Sequence, residues 1–185
     1  MALSQTQLDQ LRNAINADAN LTAFVAAKDA QSIAAYLRGA STFSVYRTTT
    51  DVDSIFDAIQ WVNLTPADNP DGTAAFTNIA LACQGRQFNV QTMLVGRTFI
   101  NSSKNTVRKG LQDALTNVPS GAGGALVNAG WSAVKQAMTR LANRYEAIFA
   151  TGNGTSGSPG DLGVEGDPSI GEIGAAMWLP DGTPR

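Results

Sequence analysis

Apolar residues recur at helical spacing along most of the chain, and each of the first four runs follows a residue type that commonly caps helices. Ser4 and Gln7 form a capping box, while Asn20, Asp29 and Asp51 are single capping residues. The pattern predicts three short helices and one medium helix in the first third of the chain. Their inward-facing positions are Leu8, Leu11, Ile15, Leu21, Phe24, Val25, Ile33, Tyr36, Leu37, Val52, Ile55, Phe56 and Ile59.

Residues 73–96 form one long helical pattern that is apolar on two sides. The second stripe consists of Leu81, Phe88 and Val95, which are seven residues apart. A helix with two apolar faces lies at the centre of a bundle or between subunits. The first stripe consists of Phe76, Ile79, Cys83, Val90 and Leu94.

Two further helices are predicted in the next part of the chain. Ser102 or Ser103 opens the first, and the segment 119–124, with one proline and three glycines, ends it. The last helix is predicted from about Ala125 to Ala150. The inner positions of the two helices are Val107, Leu111, Ala114, Leu115 and Val118, then Leu126, Val134, Met138, Leu141, Tyr145 and Phe149.

Residues 151–185 hold nine of the eighteen glycines, four prolines and five acids. Glycine loses the most backbone entropy on ordering, so we expect this segment to be mobile unless another chain holds it. The apolar residues expected to contact that chain are Leu162, Val164, Ile170, Ile173, Met177, Trp178 and Leu179. The predicted fold is therefore an all-α helical bundle (1–150), with one strand-like or extended segment at about 42–50, followed by a long extended C-terminal arm (151–185).

Charge is sparse, at 15 % of residues, and it is unevenly distributed. Residues 1–71 carry a net charge of −4, residues 72–145 carry +7, and residues 146–185 carry −5. A basic middle between acidic ends could pair head-to-tail between identical subunits, face an acidic partner or lie near nucleic acid; ordinary solvated helix faces explain it as well. The basic residues considered for inter-subunit or DNA-channel roles are Arg86, Arg97, Lys104, Arg108 and Lys109.

The chain has no histidine and one cysteine, Cys83, which removes the commonest general base and any thiolate zinc site. We therefore expect no catalytic residue, no metal site, no cofactor and no enzymatic activity. No apolar run approaches the length of a membrane span, and no signal peptide is recognisable. The expectation is a protein made in the cytoplasm that contacts no membrane.

Three runs resemble a family of structural proteins from tailed bacteriophages and prophages. They are Trp61-Val-Asn-Leu-Thr-Pro-Ala-Asp-Asn-Pro-Asp-Gly-Thr73, Ala82-Cys-Gln-Gly-Arg-Gln-Phe-Asn-Val-Gln-Thr-Met-Leu94 and Gly110-Leu-Gln-Asp-Ala-Leu-Thr-Asn-Val-Pro-Ser-Gly-Ala-Gly-Gly124. The resemblance covers most of residues 5–165, and its motifs are not catalytic. The run Ile170-Gly-Glu-Ile-Gly-Ala-Ala-Met-Trp-Leu179 has no counterpart in it.

The resemblance implies the head–tail connector (adaptor) class of virion neck proteins. Such a protein forms a homo-oligomeric, dodecameric ring under the portal protein, extends the DNA channel by non-specific contact with DNA, and meets a downstream neck or tail protein. It also implies a C-terminal arm that docks on the portal. Within that arm we expect Met177 and Trp178 to be the anchors, because large side chains dominate docking of this kind. Two alternatives stay open: a helical assembly factor or scaffold-type module absent from the virion, and another neck or tail component.

Overall fold

The structure, a computed structural model, describes residues 3–64, 75–120, 125–179 and 181–185, with the backbone alone for 75–80. Short 3-10 turns at Ala19–Leu21 and Trp61–Asn63 accompany the regular elements. In chain order these elements are α1 (Gln5–Ala17), α2 (Thr22–Ala26), α3 (Ala30–Leu37), β1 (Ala40–Tyr46), β2 (Thr50–Asp51), α4 (Val52–Ala58), α5 (Ala75–Leu94), β3 (Phe99–Ile100), α6 (Asn105–Leu115), α7 (Trp131–Ala137), β4 (Thr139–Asn143), α8 (Arg144–Phe149) and α9 (Ile170–Met177).

The chain divides into two compact units. Unit 1 comprises Met1–Val45 and Leu141–Arg185, and unit 2 comprises Tyr46–Arg140. Each unit has its own cluster of buried apolar side chains. The chain passes from one unit to the other within β1 and again within β4.

Several helix starts confirm the predicted caps. Ser4 and Gln7 form the capping box of α1, and the side chains of Asp29 and Asp51 accept hydrogen bonds from Ser32 N and Ser54 N at the starts of α3 and α4. The predicted cap at Asn20 is wrong, because Asp18 accepts the Asn20 N–H instead and starts a 3-10 turn.

The prediction of an all-α bundle is wrong, because the described residues form a mixed α/β fold with two small antiparallel sheets. One sheet pairs β1 with β4, and the other pairs Thr50 with Ile100 and Asp51 with Phe99. The strand-like segment at about 42–50 corresponds to β1 and β2, but its pairing partners were not foreseen. Arg144 N donates to Gly39 O at 2.9 Å at one end of the β1–β4 pair.

The predicted helix over Ala125–Ala150 is likewise wrong, because β4 separates α7 from α8. A capping box restarts the helix: Asn143 accepts from Glu146 N at 2.7 Å, and Glu146 accepts from Asn143 N at 3.0 Å. A box of this kind within a helical pattern is a sequence-level signal of a helix start. The capping box lies where β4 ends and α8 begins. The apolar residues of β4 continue the helical spacing, so the spacing alone did not predict this strand.

The core of unit 2 is built by α4, α5, α6 and α7. The packed pairs are α4 with α7, α5 with α6, and α6 with α7. Cys83 is fully buried within α5, as predicted, together with Val90 and Leu94. The side chains of Phe76 and Ile79, and residues 121–124 of the predicted break, lie outside the described residues.

The glycine-rich residues after α8 pack against β1 and do not continue as an arm. Ser44 N donates to Gly154 O at 2.6 Å, and Gly160 N donates to Ser44 O at 2.8 Å. The ring of Phe43 occupies the space where a β-carbon at Gly154 or Gly160 would lie. Glycine at these two positions therefore permits the close approach of the loop to the ring.

Helix α9 packs on α1 and α3 and completes the core of unit 1. Ile173, Ala176 and Met177 are buried in the cluster that also contains Leu11 and Ile15 of α1. Burying aliphatic side chains of this size contributes about 1.5–3 kcal/mol each. This burial offsets the cost of holding two glycines in an eight-residue helix.

We expect Ile173→Ala to lower the free energy of unfolding by about 2–5 kcal/mol, because it leaves a cavity in the core of unit 1. The matched control is Ile170→Ala in the same helix, where the side chain is 52 % exposed and the change should stay within about 0.5 kcal/mol. Urea unfolding followed by circular dichroism measures both. Equal, small effects would show that α9 is not docked.

We expect Gly160→Ala to destabilise the protein by about 1–3 kcal/mol, since the new methyl group would collide with Thr151 O and the Phe43 ring. Gly157→Ala is the control, because no atom lies within 4 Å of its added β-carbon. Its stability should be unchanged or slightly raised. Thermal unfolding of the two variants, compared with the parent, decides whether the loop packs on Phe43.

Candidate interaction surfaces

The structure places most of the predicted partner-binding residues against their own chain. Ile173 and Met177 are buried in unit 1, and Val164 and Trp178 pack against the same cluster. Leu162 is half-buried. The remaining two members of the set are solvent-exposed: the exposed fraction is 52 % for Ile170 and 42 % for Leu179.

Glu146 connects α8 to the segment that leads into α9. Its side chain is 2 % exposed, and Oε1 accepts from Gly166 N at 3.0 Å while Oε2 accepts from Asn143 N. Asn143 Nδ2 donates to Gly166 O and to Asp167 Oδ1, both at 3.1 Å. The buried carboxylate is tolerated here because the backbone N–H groups of Asn143 and Gly166 donate hydrogen bonds to it.

The phenol of Tyr145 in α8 forms a hydrogen bond with the side chain of Glu172 in α9. Burial of the Tyr145 ring, followed by the charge and hydrogen bond of Glu172, raises the pKa of the phenol to about 12. The Tyr145 ring also meets Phe149 edge-on, with the two ring centroids 5.2 Å apart. The hydrogen bond between Tyr145 and Glu172 joins α8 to α9.

Two of the five predicted basic residues bind their own unit. Arg108 is 8 % exposed, donates to Ser102 O and Ser103 O at 2.9 and 2.5 Å, and lies 4.0 Å above the Tyr46 ring. Arg86 donates to Asp113 O and, at 2.8 Å, to Thr116 O at the end of α6. The guanidinium groups of Arg86 and Arg108 therefore stabilise the fold of unit 2 through hydrogen bonds to its backbone.

The other three basic residues, Arg97, Lys104 and Lys109, are exposed. They lie just after α5, before α6 and within α6, all in unit 2. Their exposure is compatible with an acidic partner or with phosphate contact.

One face of α5 is apolar and uncovered. Cys83, Val90 and Leu94 face the core, whereas Leu81, Phe88 and the following Val95 are 61 %, 67 % and 72 % exposed. The two stripes predicted from the sequence therefore both exist, and the described part of unit 2 covers only one. We call Leu81, Phe88 and Val95 the α5 stripe.

A groove of about 690 Å³ runs beside the α5 stripe, between α5 and α6. Phe88, Thr92 and Met93 form one wall, and Gly110 and Ala114 form the other. A β-carbon at Gly110 would lie 2.9 Å from Met93 Cε, so glycine lets the two helices approach. Arg86, Arg97 and Asp113 also line the groove, so apolar and charged surface lie side by side there.

Other apolar side chains of unit 2 are exposed although the sequence did not predict them at the surface. Val62, Phe99 and Leu126 are 78 %, 55 % and 65 % exposed. Leu126, and also Leu141 of unit 1, which is 57 % exposed, were predicted to face inward in a helix that does not form there. The apolar spacing in the sequence did not distinguish these residues from core residues.

A smaller depression of about 360 Å³ in unit 1 is lined by Asp18, Tyr36 and Arg144 among others. Arg144 Nη1 donates to Tyr36 O at 2.9 Å, and its guanidinium lies 4.2 Å above the Tyr36 ring. The hydrogen bond from the Asn20 backbone is the main cause of the lowered pKa of Asp18. The polar groups of this depression therefore form hydrogen bonds and a cation–π contact with one another.

Among the described residues, no group of three or more cysteine, aspartate or glutamate side chains is placed to hold a metal ion. Burial raises the pKa of the Cys83 thiol, which favours its uncharged form. Within the described ranges, no helix combines the length and apolarity needed to cross a bilayer.

Comparison of the chain with protein-family models, with curated proteins and with solved structures finds no match in any of the three.

We expect the parent protein to lose stability between pH 10 and about 12, and Tyr145→Phe to lose less. The raised pKa of Tyr145 means that the native phenol keeps its proton while the unfolded phenol ionises, so the contribution is complete below pH 10 and is lost above it. Urea unfolding at pH 9 and pH 11 measures the difference. Parallel losses in both proteins would exclude Tyr145 as the source.

Proposed function

We propose that this protein is a structural subunit of a tailed-phage neck, a head–tail connector that forms a ring, binds the portal protein and extends the DNA channel. The observation that carries the proposal is the exposed apolar surface of unit 2, which includes the α5 stripe, Val62 and Phe99. Exposed apolar side chains of this number mark surfaces that a partner covers.

The resemblance of three runs to phage structural proteins supports the choice of assembly. All three runs fall within unit 2, and two of them form its helices: Ala82–Leu94 lies in α5, and Gly110–Leu115 lies in α6. Their shared surface includes the groove between these helices. The proposed ring contacts therefore involve the same segments that carry the resemblance.

In this proposal the portal contact uses the exposed part of the C-terminal segment. Ile170 and Leu179 supply apolar contact, and the nearby acids Asp167 and Asp181 supply charge. Ile173 and Met177 instead hold α9 on its own unit. Removing 160–185 would therefore unfold unit 1 and is not a clean test of portal binding.

Exposed basic residues support the proposed position beside DNA. Arg97, Lys104 and Lys109 would attract phosphates without reading sequence, which suits a channel wall. Arg86 and Arg108 are excluded from that role because their guanidinium groups bind backbone carbonyls of unit 2.

The test is quantitative mass spectrometry of purified virions of the phage that encodes the chain. The proposal predicts a fixed copy number equal to that of the portal protein, and a ring of the chain at the neck in an electron cryomicroscopy map. Absence from virions would overturn it and favour the assembly-factor alternative.

A phage carrying Ile170→Asp should assemble heads that lack tails, because a charge replaces an apolar portal contact. Aspartate is favourable in the first turn of a helix, so α9 should stay folded. Ser156→Asp, at an exposed loop position, is the control and should give normal virions. Normal virions from both variants would remove Ile170 from the portal contact.

A further inference from the structure

The α5 stripe has three features that bear on what covers it, and the first is its spacing. Leu81 and Val95 each lie seven residues from Phe88, about 10 Å along the helix axis. The pattern is therefore symmetric about Phe88. When two copies of such a helix run antiparallel, Phe88 meets Phe88, and Leu81 of each copy meets Val95 of the other.

The second feature is Gly85, which lies one turn from both Leu81 and Phe88. Glycine within a helix is less favourable than alanine by about 1 kcal/mol. No atom lies within 4 Å of a β-carbon added at Gly85, so nothing in the described part of the chain requires a glycine there. A glycine one turn from Phe88 leaves room for a side chain of a second helix that packs on this face.

The third feature is charge. Arg86 is the only charged residue in the sequence of α5, Ala75–Leu94, and its guanidinium is turned to the end of α6. The exposed neighbours of the stripe include Gln84, Gln91 and Thr92, which are polar and uncharged. The stripe itself is therefore uncharged, and the groove beside it carries both signs of charge, from Arg86 and Arg97 and from Asp113.

From these features we infer that the α5 stripe binds a second copy of this chain, as an antiparallel helix pair with its two-fold axis near Phe88. Each Phe88 ring enters the groove between α5 and α6 of the other copy, beside Met93 and Gly110. The pairing is isologous, because the same surface serves both partners.

A second copy suits this surface better than an unlike protein does. An acidic partner would be drawn to Lys104 and Lys109, which lie off the stripe, whereas Arg97 lines the groove together with Asp113, so the groove is not uniformly basic. The symmetric spacing and the absence of charge are what a self-paired helix needs.

The inference deepens the proposed function and rests on it in one respect, namely that the protein is an assembly subunit. An isologous pair is closed and does not propagate, whereas free head-to-tail surfaces can polymerise into filaments. The pair would be the resting form of the unassembled protein, which a neck component opens when the ring forms.

Disulfide trapping tests the geometry in the purified full-length protein. Gln84 and Thr92 lie four residues on either side of Phe88, so Gln84→Cys in one copy should meet Thr92→Cys in the other. A mixture of the two variants should give disulfide-linked dimers under mild oxidation, and neither variant alone should. Native Cys83 is fully buried and does not compete.

A second measurement tests the contact itself. Phe88→Ser should raise the dimer dissociation constant at least tenfold in sedimentation equilibrium, because an anchoring aromatic side chain is lost. Gln112→Ser on the exposed surface of α6 is the control and should leave it unchanged.

A monomeric parent protein, or dimers that each single-cysteine variant forms with itself, would overturn the inference. The virion experiment gives an independent answer. Trapped dimers of a protein absent from virions would reject the neck function alone, and a virion protein that gives no trapped dimers would reject the pairing alone.

Discussion

Helix α9 completes unit 1 by bringing the C-terminal part of the chain onto its N-terminal helices. Ile173 and Met177 enter the cluster formed by α1, α3 and α8, so residues separated by most of the chain share one core. The helix contains two glycines and only eight residues, and it would not be stable in isolation. Its order depends on this docking, and the compactness of unit 1 depends on its order.

The segment between α8 and α9 is shaped by that requirement. Gly154 and Gly160 lie close against the Phe43 ring. Gly154 O accepts a hydrogen bond from Ser44 N, and Gly160 N donates one to Ser44 O. Buried Glu146 then binds the amide of Gly166 and directs the chain towards α9. The glycines are enriched here because the backbone packs closely. Composition alone does not distinguish such a segment from a mobile linker.

Local signals predicted much of the fold, and tertiary constraints explain the rest. The caps at Ser4, Asp29 and Asp51 were foreseeable because each involves neighbouring residues only. Strand β4 was not, since its apolar residues continue the helical spacing and its pairing with β1 is distant in sequence. The capping box of Ser169 with Glu172 starts α9, but this helix was not predicted because the glycines and prolines of the segment favoured an extended arm. The α5 stripe was predictable from its seven-residue period, whereas its exposure depends on which face α6 covers.

The segment after α8 belongs to a folded unit, and unit 2 exposes an apolar surface. Hydrogen–deuterium exchange of the purified protein tests the first claim most directly. We predict that the amides of Gly160, Ile173 and Trp178, each hydrogen-bonded within unit 1, exchange as slowly as those of α1. Exchange at the rate of an unstructured peptide at these amides, with α1 still protected, would contradict the account.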